Sequence, residues 1–223
     1  MSAAGWATAR EEVAEVSRRL AALGMVPATA GNVSVRVGDV VAITPTGAAL
    51  RDLAAEDVSI VGLDGELVDG PLQPTSELGL HLGIYRARDA GAVVHTHAPA
   101  CTAAACVVDE LPCFHYQLLS LGGAVPVAPY ATFGSEELAR NVVAALEGRT
   151  AALMASHGAV TCGPTLAKAF EAMELLEWAC DVYGRARALG PPRILTDAQV
   201  TAVIEAAIAN RYGSTRAAGG DTS

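Results

Sequence analysis

Lysine is almost absent from this sequence: the only one, Lys168, lies among Ala and Leu residues of a predicted helix. A mechanism that forms a Schiff base on a lysine amine is therefore not expected. Aromatic residues make up only 4% of the chain, whereas apolar residues as a whole reach 52%. That composition is typical of a packed globular protein and argues against a disordered one.

Basic clusters are also missing, and the chain carries a formal net charge of −9 with a pI of about 5.0. Non-specific nucleic-acid binding requires basic residues that neutralise phosphates, so we do not expect it. There is no apolar run of about 18 residues, and the first residues contain no apolar core of the signal-peptide type. We therefore expect a cytoplasmic protein that does not contact a membrane.

The five cysteines form no C-x-x-C pair and lie in apolar stretches. We interpret them as reduced, buried thiols of a cytosolic protein rather than as a disulfide framework. Walker A and G-x-G-x-x-G patterns are absent as well, which argues against the common nucleotide-binding loops.

Hydrophobic periodicity predicts one α/β domain over residues 1–213 and a disordered polar tail over 214–223. Strands are predicted over 34–37, 40–43, 57–62, 92–97, 124–129 and 151–155. Helices are predicted over 7–23, 76–90, 99–107, 135–146, 164–189 and 197–210, with Ser76, Ser135 and Asp197 as N-caps. Because a hairpin joins the first strands, we expect a largely antiparallel or mixed sheet.

Residues 93–97, with the sequence VVHTH, place His95 and His97 two positions apart on a predicted strand. Residues i and i+2 of a strand point to the same face, about 6.6 Å apart, so two imidazoles there can converge on one metal ion. A third histidine, His157, follows the buried strand 151–155. Three neutral ligands with an open fourth position are typical of a catalytic metal site. A pair of structural histidines is the alternative for the HxH alone, and we interpret His81, inside a predicted helix, as structural.

Glu77 follows Thr75 and Ser76 at the start of a predicted helix. A carboxylate there can simply complement the helix dipole, or it can be a base beside an anion site formed by the two hydroxyls and free N–H groups. Ordinary turn chemistry is the alternative for the neighbouring polar turns. Two such turns can complete an anion site, Gly31-Asn32 and Thr46-Gly47.

Taken together, these segments resemble the class II aldolase family, which includes the adducin heads, and in particular its fuculose-phosphate aldolase branch. The resemblance is carried by AGNVSVR (30–36), ITPTG (43–47), TSE (75–77), VVHTH (93–97), APYATFG (128–134) and SHG (156–158). It implies a central, mainly antiparallel sheet with helices on both faces. It also implies a homotetramer with active sites between subunits.

The resemblance assigns one Zn²⁺ per chain to His95, His97 and His157, with Mn²⁺ or Co²⁺ as alternatives. It assigns the catalytic base to Glu77, which can be a fourth ligand in the resting state. Tyr116 resembles an acid that reaches in from the neighbouring subunit. The phosphate pocket is assigned to Gly31, Asn32, Thr46, Gly47, Thr75 and Ser76, and the aldehyde side to Phe133 and Tyr212. Thr75 replaces a usual serine, which narrows the pocket by one methyl group.

The activity that the resemblance implies is reversible cleavage of a ketose 1-phosphate to dihydroxyacetone phosphate and a small aldehyde. The sugar is L-fuculose 1-phosphate or a related deoxypentulose 1-phosphate, and a metal-chelated enediolate is the expected intermediate. One alternative is a ribulose-phosphate 4-epimerase, whose branch carries an acidic residue near 114–117, where this chain has none. A methylthioribulose-phosphate dehydratase is another. A non-catalytic adducin-like module is disfavoured because such modules lose metal ligands.

Overall fold

One mixed sheet of nine strands organises the computed structural model, which describes residues 3–210. In chain order the strands are β1 (Asn32–Val37), β2 (Val40–Ile43), β3 (Ser59–Gly62), β4 (Leu67–Asp69), β5 (Ala92–Thr96), β6 (Glu110–Leu111), β7 (Val125–Ala128), β8 (Ala151–Met154) and β9 (Gly158–Gly163). Their spatial order is β4-β3-β2-β1-β5-β9-β8-β7-β6. All neighbours are antiparallel except β7 and β8, so the predicted mixed sheet is confirmed.

Helices cover both faces of this sheet. They are α1 (Ala3–Ala22), α2 (Leu78–Ala87), α3 (Pro99–Ala105), α4 (Glu136–Ala145), α5 (Leu166–Leu189) and α6 (Asp197–Asn210). One buried apolar cluster joins α1, α3 and α5 to one face, and a second joins α2 and α4 to the other. Among the helices of residues 3–210, none combines the length and the hydropathy of a membrane-spanning segment.

Strand β5 lies between β1 and β9, and all five of its residues are buried. Its side chains alternate, since Val94 packs in the cluster under α5 and Val93 in the cluster under α2. His95 therefore points to the α2 face. A slip of one residue would turn His95 to the opposite face and away from Glu77, because successive side chains of a strand alternate between faces. Both faces of β5 are buried, so the pairing register with β1 and β9, and not the apolar pattern alone, fixes where His95 points.

The predicted start of α2 is wrong. Ser76 is not its N-cap: the cap position is Glu77, whose side chain makes no capping hydrogen bond. The backbone N–H of Glu77 instead donates to Thr75 Oγ1 at 3.3 Å, and its carboxylate turns toward His95. The helix also ends at Ala87 rather than at residue 90, because the backbone at Arg88 is extended.

The predicted cap of α6 is also wrong, because Thr196 performs that role. Its Oγ1 accepts from the N–H of Gln199 at 3.3 Å, and the Gln199 side chain accepts from the N–H of Thr196 at 2.9 Å. This reciprocal pair is a capping box, and Asp197 becomes the first helical residue. The predicted cap of α4 is confirmed, since Ser135 Oγ accepts from the N–H of Leu138 at 3.1 Å.

The sequence patterns missed three strands, β4, β6 and β9, of which β9 is the longest. It is fully buried, so it lacks the apolar-polar alternation of a half-exposed strand, and glycine lies at both of its ends. The β-branched pair Val160-Thr161 was the available signal. Helix α1 begins four residues earlier than predicted, at Ala3, and α5 begins at Leu166 with Thr165 as its cap. Residues 211–223, which include the predicted tail and Tyr212, lie outside the described part of the chain.

Candidate metal centre and active site

Four side chains converge where β5 ends. The ligand atoms of Glu77, His95, His97 and His157 all lie within 4.8 Å of one another. The three imidazole centroids form a nearly equilateral triangle with sides of 5.0, 5.0 and 4.9 Å. Nε2 of His95 lies 3.2 Å from Nε2 of His97 and 3.1 Å from Oε2 of Glu77. Nε2 of His157 lies 3.5 Å from Oε1 of Glu77.

The antiparallel pairing of β5 with β9 brings His157 to the HxH pair. Thr96 is opposite Ala159, so the turn that enters β9 lies directly beside His97. Gly158 is required in that turn, because a Cβ atom there would stand 2.3 Å from the carbonyl oxygen of Thr96. Ser156 occupies the left-handed region with a φ of 52°, a conformation that non-glycine residues adopt rarely.

The cluster favours neutral imidazoles at His97 and His157. Nδ1 of His95 lies 2.9 Å from the carbonyl oxygen of Ala159 and must donate to it, which turns Nε2 toward the cluster. Burial, followed by the charges of His95 and His157, lowers the pKa of His97 to about 4. Burial and then the charge of His95 also lower the pKa of His157. Neutral imidazole is the form that binds a metal ion.

Glu77 is ionised and incompletely paired. Burial alone would raise the pKa of its carboxyl, but the hydrogen bonds and charge of His95 and the amide of Asn32 hold it well below its ordinary value. Oε2 accepts from Nδ2 of Asn32 at 3.0 Å, whereas Oε1 is buried without a hydrogen-bond partner among residues 3–210. An unpaired buried carboxylate oxygen is costly unless a cation compensates it.

These distances fit a divalent cation. Zinc–nitrogen bonds of about 2.0–2.1 Å in a tetrahedral site separate neighbouring ligand atoms by about 3.3 Å. Nε2 of His95 lies close to that distance from two other ligand atoms, 3.2 Å from Nε2 of His97 and 3.1 Å from Oε2 of Glu77. Imidazole nitrogens with one carboxylate suit zinc and several other first-row metals. His95, His97, His157 and Glu77 can therefore hold a divalent metal.

A cavity of about 370 Å³ opens onto the histidine-glutamate cluster. This volume is enough for a small phosphorylated sugar. Its wall brings together every predicted phosphate residue: Gly31, Asn32, Thr46, Gly47, Thr75 and Ser76. Lys and Arg are absent from the described lining, which offers hydroxyls and amides instead. Thr29 and Tyr130 also line the cavity and were missed, although Thr29 directly precedes one motif quoted above and Tyr130 lies within another.

The two described aromatic candidates lie in different places. Phe133 lines the metal cavity and is 67% exposed. Tyr116 instead lines a separate groove of about 430 Å³ beside α6, together with Leu175 and Ile204. Within one chain, therefore, Tyr116 does not line the cavity at the histidine-glutamate cluster. Tyr212, the third aromatic candidate, falls outside the described residues.

A mixed sheet covered on both faces, with a histidine-rich cluster at the floor of a polar cavity, defines a metal-dependent enzyme. Residues 11–183 match the family model described as the class II aldolase and adducin N-terminal domain. The chain belongs to the class II aldolase and adducin family. Its enzymatic class is that of the metal-dependent aldehyde-lyases.

Relatives of known activity match most of the chain. The 5-methylthioribulose-1-phosphate/5-deoxyribulose-1-phosphate aldolase of Rhodospirillum rubrum is 40% identical over 198 residues, which is 88% of this chain and 89% of the relative. The L-fuculose phosphate aldolase of Escherichia coli is 36% identical over 197 residues, which is 87% and 91% of the two chains. A solved structure of L-fuculose 1-phosphate aldolase matches with a TM-score of 0.86 and 32% identity, over 92% of this chain and 97% of that one.

Proposed function

We propose that this protein reversibly cleaves a ketose 1-phosphate to dihydroxyacetone phosphate and a small aldehyde, with Zn²⁺ at the three histidines. The observation that carries the proposal is the position of the hydroxyl-lined cavity directly on the histidine-glutamate cluster. The relatives named above act on L-fuculose phosphate and on 5-deoxyribulose or 5-methylthioribulose 1-phosphate. These sugars are the substrate class to test.

Glu77 is the proposed base. When bound, the cation supplies Lewis acidity that stabilises the negative charge developing beside the substrate carbonyl. Glu77 moves a proton on and off the carbon that carries this charge, and it is suited to the task because it is ionised and buried. Oε2 is anchored by Asn32, so Oε1 is the oxygen available to accept the proton.

The phosphate is proposed to bind neutral donors. Hydroxyl groups of Thr46, Thr75 and Ser76 line one wall of the cavity. Within residues 3–210, the backbone N–H groups of Gly47 and Ser76 donate to no other group of the chain. Such free N–H groups bind phosphate without a basic side chain, as loop nests and helix starts commonly do. A protein of net charge −9 can therefore hold an anionic sugar.

The activity is tested by dihydroxyacetone phosphate release from a panel of ketose 1-phosphates. L-fuculose 1-phosphate, 5-deoxyribulose 1-phosphate and 5-methylthioribulose 1-phosphate are each incubated with the zinc-loaded protein, and release is followed with a coupled NADH assay. We expect at least one substrate to be cleaved with a kcat/KM of about 10⁴ M⁻¹s⁻¹ or more.

Lys168→Ala provides the control for the panel, because Lys168 is exposed and paired with Glu171 at 2.6 Å. This variant should keep full activity if no Schiff base is involved. Epimerisation of a pentulose 5-phosphate without release of dihydroxyacetone phosphate, or dehydration of the methylthio sugar, would contradict the proposal and favour one of the alternative activities.

We also propose a homotetramer in which Tyr116 of one subunit completes the site of its neighbour as the acid at the aldehyde oxygen. Tyr116 lies outside the metal cavity of its own chain and is 42% exposed. Helix α6, beside it, exposes Ile204 and Ile208 by 47% and 74%. Exposed apolar side chains grouped in this way are typical of a surface that another subunit covers.

Mixed assemblies test this shared site. Glu77→Gln and Tyr116→Phe should each be nearly inactive alone, whereas their co-expressed mixture should regain about one quarter of the wild-type activity, the fraction of sites that draw both intact residues from a random mixture. Simply mixing the two purified variants without subunit exchange provides the control. Light scattering should give four times 22.7 kDa. A monomer, or no recovery in co-expressed assemblies, would rule out the shared site.

A further inference from the structure

A continuous chain of hydrogen bonds runs behind Glu77 through four other buried side chains. The Tyr85 hydroxyl lies 2.7 Å from Ser34 Oγ, which lies 2.7 Å from Nδ1 of His81. Nε2 of His81 lies 2.5 Å from Oδ1 of Asn32, and Nδ2 of Asn32 lies 3.0 Å from Oε2 of Glu77. Two segments supply all five groups: β1 contributes two, and three are spaced four residues apart along α2 and its cap.

The direction of every hydrogen bond in this chain follows from its end at the carboxylate. Ionised Glu77 only accepts, so Asn32 must turn its NH₂ toward Glu77 and its carbonyl oxygen toward His81. That oxygen also only accepts, so His81 must carry its proton on Nε2. Nδ1 of a neutral ring then accepts from the Ser34 hydroxyl, and Ser34 accepts from Tyr85. Burial first, and then the charge of His95, lower the pKa of His81 to about 3, consistent with a neutral ring.

The surroundings of His81 give no packing reason for a histidine. Its neighbours on α2, Leu80, Leu82 and Ile84, are apolar and buried in the cluster beneath the helix. An imidazole with no exposed surface is costly there unless both ring nitrogens are paired. Both are paired, and the partner on one side is the residue that contacts Glu77.

We propose that His81 is a positioning residue for the aldol reaction: by donating from Nε2 to Asn32, it keeps the Asn32 amide on Glu77 Oε2 and leaves Oε1 for the substrate proton. This inference rests on the proposed function, which assigns the base to Glu77. Without the donor on His81, the Asn32 amide can flip and present its oxygen to the carboxylate. Two acceptors would then face each other at hydrogen-bond distance, and Glu77 would turn away from its working position.

Two amide variants separate this role from a structural one. Gln at position 81 places its amide nitrogen near the position of Nε2 and can still donate to Asn32. Asn is one methylene shorter and reaches only the position of Nδ1. We expect His81→Asn to lower kcat by about 10- to 100-fold, the usual cost of losing a partner behind a site residue, with KM within about threefold and the metal content unchanged. His81→Gln should stay within about fivefold of wild type, on the same basis.

Ile84→Ala is the matched control, because Ile84 is fully buried on the same helix and takes no part in the hydrogen-bond chain. It should lower the midpoint of thermal unfolding at least as much as His81→Asn does, but leave kcat within about twofold, since it only removes packing. Equal loss of kcat in the Asn and Gln variants, or a loss in Ile84→Ala that matches that of His81→Asn, would overturn the positioning role.

The tautomer gives a readout that does not depend on activity. In full-length, zinc-loaded protein labelled with ¹⁵N-histidine, the His81 signals are identified by their loss in His81→Gln. We expect a proton on Nε2 and none on Nδ1, and a proton on Nδ1 overturns the inference.

If Glu77→Gln is fully active, the proposed function fails at its base. If Glu77→Gln is inactive while His81→Asn is unimpaired, only the role of His81 fails.

Discussion

Glu77→Gln should lower kcat by about 10²- to 10⁴-fold, the usual contribution of a positioned base. Gln keeps the volume of the side chain and still accepts from the Asn32 amide, which lies 3.0 Å from the carboxylate. It loses the ability to take a proton. Bound metal should stay near one per chain, because the three histidines are unchanged. Steady-state release of dihydroxyacetone phosphate and metal analysis of the same preparation measure the two quantities.

Deuterium exchange isolates the step that Glu77 performs. In D₂O the wild-type protein should exchange a hydrogen of dihydroxyacetone phosphate with solvent, and Glu77→Gln should lose that exchange together with its turnover. Glu171→Gln makes the same chemical change at an exposed carboxylate on α5 and should leave both rates unchanged. Loss of the metal in Glu77→Gln would instead make Glu77 chiefly a ligand, and normal exchange would remove it as the base.

Removal of the metal should have the other large effect. A chelator, or His157→Ala, should reduce turnover by at least about 10³-fold, because Lewis-acid stabilisation is worth several kcal/mol and each 1.4 kcal/mol is tenfold in rate. Added zinc should restore the chelated wild type fully. It should not restore His157→Ala, because this variant lacks one of the three imidazole rings of the cluster.

Thermal unfolding checks the same site without substrate. Zinc at about 1,000 times its dissociation constant should stabilise the wild-type protein by about 4 kcal/mol, and His157→Ala should lose most of that gain. Cys106→Ser is the control for thiolate binding, because Cys106 is an exposed free thiol outside the cluster. It should keep both the metal content and the gain. Full turnover in metal-free protein would contradict the proposed chemistry.

Much of the cluster could be predicted because its signals are local. The HxH pair needs only the two-residue period of a strand, and the glutamate stands beside two hydroxyls within three consecutive positions. The mixed sheet likewise follows from a hairpin turn and short apolar runs, and it is confirmed. The cap of α2 was mispredicted because the carboxylate of Glu77 interacts with His95, 18 positions further along the chain. Propensities at the helix start do not contain that contact.

The histidine inside α2 shows the same limit. From the sequence, His81 is one polar residue among apolar helix neighbours, and a structural role is the simplest interpretation. Its partners, Ser34 and Asn32, lie 47 and 49 positions away, on a strand that meets α2 only across the sheet face. Tyr116 is the opposite case. Its segment resembles one that supplies a site residue, but the fold places it in the groove beside α6 and not in the cavity at the histidine-glutamate cluster.

The sequence by itself determined the class of this protein, a metal-dependent α/β enzyme, and it predicted three histidine ligands, a nearby carboxylate and a hydroxyl-rich anion site. Residue type and short spacing carry that information, because they set which chemistry each segment can perform. Only the tertiary structure decided that β9 brings His157 to the HxH pair, that Asn32 and His81 share one hydrogen-bond chain with Glu77, and that Tyr116 lies outside its own chain's cavity. Those facts depend on sheet order and packing across many tens of residues, and local periodicity does not encode them.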